Sequence, residues 1–221
     1  MLNWAIQRDL LEINPATNIA RPGGKERARD RVLTEQEIKL LWSAIEAASC
    51  ADQIKLLLML MLATAQRRGE WLQAQWSEFD LATGWWTIPG EHAKNGQSHR
   101  VPLSPLVLEL LQRAQRASNG SALVLPSPRT GEALSESAVD RAVRNNRSHF
   151  TLAHWTPHDL RRSAASHMAS LEVPRLVIKK ILNHTDSDIT AVYDRHSYDK
   201  EKAAALNNWG QHLQQLVGGA A

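Results

Sequence analysis

The chain reads as mainly α with a small three-stranded antiparallel β-sheet. Apolar residues recur at helical spacing through most of its length, and one helical stretch is apolar nearly all round. A single interval near the middle switches to short strand-like runs separated by turn residues.

The elements follow in order. Residues 1–20 read as the end of a helix and a turn, with Asn14-Pro15 as the stop. Residues 21–32 (RPGGKERARDRV) carry Pro, Gly and mixed charge without an apolar period, as a linker does. The main domain, 33–221, opens on Thr34 and Glu37 at capping-box spacing, with Leu33 and Ile38 placed as a hydrophobic staple. Ile38, Leu41, Trp42 and Ile45 continue that helix. The next, about 51–65, contains LLLMLML and should form the buried axis of the core. A short helix over Gly69–Gln75 precedes three strands, Phe79–Leu81, Trp85–Ile88 and Arg100–Leu103, with Asn95-Gly96 as a hairpin tip. Ser104-Pro105 then starts a helix, because Ser can accept from free amides and Pro suits the first helical position. Further helices are expected near Ser135, Thr156-Pro157, Pro174 and Ser187 or Asp188, and a last one over Asp199–Leu216.

At 221 residues, the chain can bury one sizeable core. Its 43% hydrophobic and 22% charged residues exclude wholesale disorder. The net charge of +3 hides an asymmetry. Residues 141–180 carry eight Arg and Lys against Asp159 and Glu172, a net +6 that leaves the remainder at −3. Such a basic segment points to a polyanionic partner. Cys50 is the only cysteine, which excludes an intrachain disulfide and a cysteine zinc cluster and fits a reducing cytoplasm. The apolar run Leu56–Ala65 is about half of the ~20 residues that a membrane span needs. The expectation is a soluble, cytoplasmic protein without a membrane partner.

Several polar residues are unremarkable one at a time. Arg67 and Arg68 follow an apolar helix, where arginines commonly ion-pair or reach to solvent. His158 and Arg161 share one face of a helix's first turn. Lys94 sits at a hairpin tip, His184 follows a helix end, and Tyr193 is one of two tyrosines. Their order is more informative: Arg, Lys, His-x-x-Arg, His, then Tyr nine residues on. With the stretches TAQRRGEWL, WTIPGEHAKNGQSHRVPLS, PHDLRRSAASHM, ILNHTDSDITAVYDRH and EKAAALNNWGQHL, the chain closely resembles the tyrosine recombinases, or phage-type integrases, over about residues 33–216. LNWAIQRDLLEINPATNIA is similar to the last helix of that family's preceding core-binding domain. Two positions depart from the family pattern: Ala65 and Asn183 stand where Gly is usual.

The resemblance implies the tyrosine recombinase catalytic-domain fold and site-specific DNA recombination, the integration or excision of a mobile element or prophage. Strands would be cleaved and rejoined through a covalent 3′-phosphotyrosine. Arg67 and Arg161 would hold the scissile phosphate, His184 would add a hydrogen bond, and Tyr193 would be the nucleophile. A phenol of pKa about 10 needs a proton acceptor, for which His158 is the candidate. The departing 5′-alkoxide needs a proton donor, for which Lys94 is the candidate. Glu70 would orient these groups, and Arg141, Arg144, Arg162 and Lys179 are expected DNA contacts. No metal or cofactor is expected; the sequence has no GxxxxGK[ST] loop. The implied partners are double-stranded attachment-site DNA, a tetramer assembled on it and DNA-bending accessory proteins, in a bacterial or phage-encoded, nucleoid-associated setting. The final helix would either dock on a neighbouring protomer or cover its own domain. Three other readings use the same residues: a catalytically inactive DNA-binding module, topoisomerase-like strand passage, and a small-molecule phosphoesterase.

Overall fold

The computed structural model describes residues 2–17, 19, 30–184 and 197–218. They divide into two compact units, Met1–Asp30 and Arg31–Ala221. In the first, helix α1 (Leu2–Ile6) is followed by a turn in which the Asn14 side chain donates to Asn3 Oδ1 (2.6 Å) and accepts from the Ala16 amide (2.9 Å).

The second unit opens as its sequence dictates. Thr34 and Glu37 complete the capping box of α2 (Glu35–Ala47), and Leu33 and Ile38 are fully buried beside it. Helix α3 (Asp52–Thr64) is buried along nearly its whole length, because its apolar residues leave no face suited to water. It packs against α5 (Pro105–Ser118) and α8 (Pro157–Ser170), which makes it the axis of the domain. Between them, α4 (Arg68–Gln73) and a 3₁₀ turn (Trp76–Glu78) lead into strands β1 (Phe79–Asp80), β2 (Trp85–Ile88) and β3 (His99–Pro102). These form an antiparallel sheet in the order β1-β2-β3, with Trp86 opposite Val101. Trp86 stacks on Phe79 (5.2 Å between centroids) and lies 4.2 Å from Trp71, so one aromatic cluster fastens the sheet to α4. The remaining elements are α6 (Glu136–Asn145), the unanticipated α7 (Arg147–Phe150), α9 (Arg175–Ile181) and α10 (Asp199–Gly218). The helix expected near Ser187 or Asp188 lies outside the described residues. None of the described helices is long and apolar enough to cross a membrane.

The β2–β3 connection is a ten-residue loop, 89–98, that contains Asn95-Gly96. Gly90 permits its close crossing: a Cβ there would stand 2.5 Å from the Gly96 carbonyl oxygen. Ser104, expected to cap α5 through its hydroxyl, makes no such bond; Pro105 does occupy the first turn. The reason is α10, whose Gly210 is seated against the Ser104 side chain and seals it from water.

The last helix thus covers its own domain. Leu206, Trp209 and Leu213 are buried, and the Trp209 indole donates to the Leu62 carbonyl of α3 (2.9 Å) while stacking on His167. A Cβ at Gly210 would meet Ser104 Oγ at 2.5 Å and Cβ at 2.7 Å. Gly-to-Ala in a helix interior ordinarily gains about 1 kcal/mol. Here Gly210→Ala should instead cost about 1–3 kcal/mol by overpacking, and adding Ser104→Gly should recover part of that loss in urea unfolding. Stabilisation by Gly210→Ala alone would mean that α10 is not seated on α5.

Candidate active site

The site grows from the end of α9. Asn183 adopts the left-handed conformation (φ 46°), its amide donates to the Lys180 carbonyl (3.2 Å), and the His184 amide donates to the Lys179 carbonyl (3.1 Å). This is a Schellman ending with Asn where Gly is commonest. It leaves the carbonyls of Ile181, Leu182 and Asn183 facing the domain, and three different elements supply donors. Gln66 Nε2 (3.0 Å) and His99 Nε2 (3.0 Å) reach Ile181, Arg161 reaches Leu182, and Arg67 reaches Asn183 (3.3 Å).

Each donor is aimed by its own local structure. Helix α3 stops because Ala65 turns left-handed (φ 56°) while fully buried. The turn brings Arg67 to the N-cap of α4, where Glu70 accepts both its amide (2.7 Å) and its guanidinium (2.8 Å). Glu70 is 1% exposed, so this carboxylate is committed to Arg67. On α8, Thr156 and Asp159 form a capping box and Pro157 takes the first position, which sets His158 and Arg161 one turn apart. Arg161 is 3% exposed and also donates to the Ala65 carbonyl (2.6 Å). Burial, then the neighbouring Arg67 charge, pull Arg161 down to about 9 against the opposing pull of Glu70, so it remains a cation at neutral pH.

Arg67, Glu70, Lys94 and His158 line one open cavity of about 620 Å³, with Thr156 and Pro157 at the start of α8. Arg161 lies behind this wall, and His184 is exposed just beyond Asn183. Burial and the Arg162 and Arg161 charges hold His158 below its ordinary pKa, which favours the neutral imidazole. Tyr193 lies outside the described residues. The other tyrosine, Tyr198, sits at the start of α10 with Lys180 Nζ 5.2 Å from its ring centroid.

The expected DNA contacts are more scattered. Arg144 is exposed, Lys179 is half-buried, and Arg162 pairs with Asp159 (2.7 Å). Arg141 lines a separate pocket of about 280 Å³ with Cys50 and Asn145. Arg68, which flanks the cavity, is held by Glu136 (2.7 Å) and Asp140 (2.5 Å) of α6. Among the described residues, no group of three or more His, Cys, Asp or Glu is arranged to hold a metal ion. Gln66, Asn95, Asn183 and His99 are the participants that motif reading passed over as chemistry. His99 had a signal: it shares the inward strand phase with buried Val101.

Comparison with known proteins places the chain in a family. The phage integrase family model matches residues 31–200. The chain belongs to the phage integrase family. It is 27% identical to prophage integrase IntZ of Escherichia coli (strain K12), over 99% of this chain and 54% of IntZ. It is also 27% identical to tyrosine recombinase XerA of Pyrococcus furiosus, over 85% of this chain and 64% of XerA. The chain therefore spans little more than half to under two thirds of these relatives. Among solved structures, a lambda integrase(75-356) dimer bound to a COC′ core site aligns with TM-score 0.63 at 22% identity, covering 83% of this chain and 67% of that one. XerA recombinase aligns with TM-score 0.60 at 21% identity, covering 86% and 66%. At these identities the structural likeness shows the fold: the chain has the mainly helical integrase catalytic-domain architecture.

In this integrase domain His99 couples stability to pH. It is 7% exposed; burial, then the Lys202 charge, lower its pKa from 6.5 to about 4. The unfolded chain therefore takes up a proton that the folded chain refuses. The contribution is complete above pH 6.5 and is lost as pH falls toward 4, about 2 kcal/mol of it by pH 5. His99→Gln keeps an N–H donor for Ile181 without titrating. Urea unfolding at pH 7.5 and 5 should show the wild type losing about 2 kcal/mol more than the variant; parallel losses would contradict a buried neutral His99.

Proposed function

We propose that this chain carries out site-specific recombination of double-stranded DNA through a 3′-phosphotyrosine on Tyr193, moving a mobile element or prophage into or out of a chromosome. The observation that carries this reading is the convergence of Arg67, Lys94 and His158 from three separate elements on one cavity at the N-terminus of α8, with Arg161 buried behind its wall. A phosphodiester seated there would meet the Arg67 guanidinium and the positive end of a helix, with the Arg161 charge close behind.

The residues divide the reaction. Arg67 and Arg161 bind the non-bridging oxygens, whose charge grows in the transition state, and His184 adds a hydrogen bond. The Tyr193 oxygen forms a bond to phosphorus as its proton passes to His158, whose lowered pKa keeps the imidazole free to accept it. The bond from phosphorus to the 5′-oxygen breaks, and Lys94 protonates the leaving oxygen. Rejoining runs the same steps in reverse on a new 5′-hydroxyl. The phosphotyrosine ester conserves the bond, so no nucleotide is consumed. Glu70 fixes Arg67 throughout.

The names of the relatives support the setting: IntZ is a prophage integrase, and a lambda integrase tetramer bound to a Holliday junction is among the solved neighbours. On this reading, residues 33–221 are the catalytic domain, 21–32 a linker and 1–20 part of the last helix of a core-binding domain. The chain acts on cytoplasmic DNA as a tetramer, with DNA-bending proteins assisting. Arg141, Arg144, Arg162 and Lys179 contact the duplex beside the cleaved phosphate.

Trapping on a nicked suicide substrate tests the nucleophile. The wild type should form a covalent protein–DNA adduct, and Tyr193→Phe should form none while binding DNA with almost unchanged affinity. An adduct that survives this substitution would move the nucleophile to Tyr198. The proton donor is tested separately: Lys94→Ala should slow cleavage by roughly 10²–10⁴-fold. With sulfur at the 5′-bridging position the leaving thiolate needs no proton, and Lys94→Ala should approach the wild-type rate while Arg67→Ala stays slow. Equal impairment of Lys94→Ala on both substrates would leave Lys94 as a phosphate contact.

A further inference from the structure

The loop that carries Lys94 is tied to the end of α9 by a pair of amides. Asn95 Nδ2 donates to Asn183 Oδ1 (2.9 Å), and Asn183 Nδ2 donates to Asn95 Oδ1 (3.2 Å). Asn95 Nδ2 also lies 3.4 Å from the Asn183 carbonyl oxygen, which accepts from Arg67. The orientation of the first amide is fixed independently. Asn95 Oδ1 accepts from the Gln97 backbone amide (3.2 Å), which can only donate, so Nδ2 must face Asn183. One residue thus folds the tip of the loop and joins it to the helix end that holds both arginines.

The base of the loop is secured elsewhere. Ala93 is buried, Ser98 Oγ donates to the Ile88 carbonyl (3.2 Å), and His92 Nδ1 stands 2.9 Å from Glu78 Oε1. Lys94, between this base and the tip, is exposed at the cavity. Its four-carbon stem is flexible, so the position of its backbone decides how often the ammonium reaches a given oxygen. A glycine at 183 would meet the same φ of 46° but would offer no amide to Asn95.

We propose that Asn95 and Asn183 form a latch that positions Lys94 over the cavity, coupling the proton donor to the end of α9 on which Arg67 and Arg161 are set. The inference rests on the recombinase reading for its kinetic consequence and on the hydrogen bonds alone for the latch. Both asparagines are positioning residues and act through Lys94.

Asn183→Gly is the direct test, because glycine suits the left-handed backbone and retains the carbonyl that Arg67 uses. It should slow cleavage of the all-oxygen substrate by about 10- to 100-fold, the scale of a misplaced reacting group. Cleavage of the 5′-bridging-sulfur substrate should stay near the wild-type rate, since no proton is needed there. Asn95→Ala should behave likewise, the double variant should be no slower than the slower single one, and Asn183→Gly should add nothing to Lys94→Ala. Amide hydrogen exchange at Gln97 should rise in Asn183→Gly with the melting temperature unchanged. Equal slowing on both substrates would assign Asn183 to the phosphate cradle, and unchanged rates would leave the latch without consequence; either result overturns the proposal. A wild-type chain that forms no adduct overturns the recombinase reading and the kinetic role with it. Gln97 exchange then decides the latch alone: a rise retains it and no change removes it.

Discussion

The C-terminal end of α9 is the constraint on which the site depends. A helix leaves its last carbonyls without intrahelical partners, and burying them unpaired is costly. Here the Schellman turn absorbs the carbonyls of Lys179 and Lys180, while those of Ile181, Leu182 and Asn183 draw donors from α3–α4, α8, β3 and the β2–β3 loop. Elements far apart in sequence are registered against a single helix end. Because its negative dipole end attracts cations, the donors include both guanidiniums.

Two left-handed residues make this registration possible, at unequal cost. Asn183 is tolerated there, since Asn visits this region more readily than other side chains. Ala65 is not favoured and carries on the order of 1–2 kcal/mol of strain. Its return is geometric. The turn ends α3, presents the Ala65 carbonyl to Arg161, and leaves Arg67 at the N-cap of α4 within reach of Glu70. A β-branched residue would bring greater strain in a position with no exposed surface.

Much of this was legible in the sequence, for physical reasons that can be named. The capping box at Thr34–Glu37 and the Thr156-Pro157 start of α8 declare themselves through side chains, as does the all-apolar α3. Arg67, Lys94, His158 and Arg161 were recognisable from their order, and the fold unites the first three around one cavity with Arg161 behind them. The carbonyl network was not legible, because every residue has a carbonyl and none signals which will be left unpaired. Gln66 and His99 therefore read as incidental. Ser104 misled for a related reason: its capping chemistry was sound locally, but α10 arrives from about a hundred residues away and seats Gly210 on its hydroxyl. The cover of α10 over its own domain is likewise a packing outcome that its apolar stripe alone left open.

The manner in which each arginine is held bears on catalysis in the proposed reaction. Arg67 is oriented by a buried carboxylate, so part of its field is cancelled before any substrate arrives. Arg161 is oriented by two neutral carbonyls, which fix the guanidinium plane without neutralising it. With Glu70 paired to Arg67, the trio carries one net positive charge in a mostly dry corner, and burial first, then the Arg67 charge, lowers the pKa of Arg161. A phosphodiester brings one negative charge and approaches two in the transition state. The trio alone matches the ground state, so the extra charge that develops must be met by groups at the cavity's edge. Lys94 is exposed there, and the proton that His158 takes from the nucleophile leaves a second cation beside it. Stabilisation that appears only as the charge develops lowers the barrier without tightening the resting complex. A site with two uncompensated arginines would have bound its substrate more tightly and gained less.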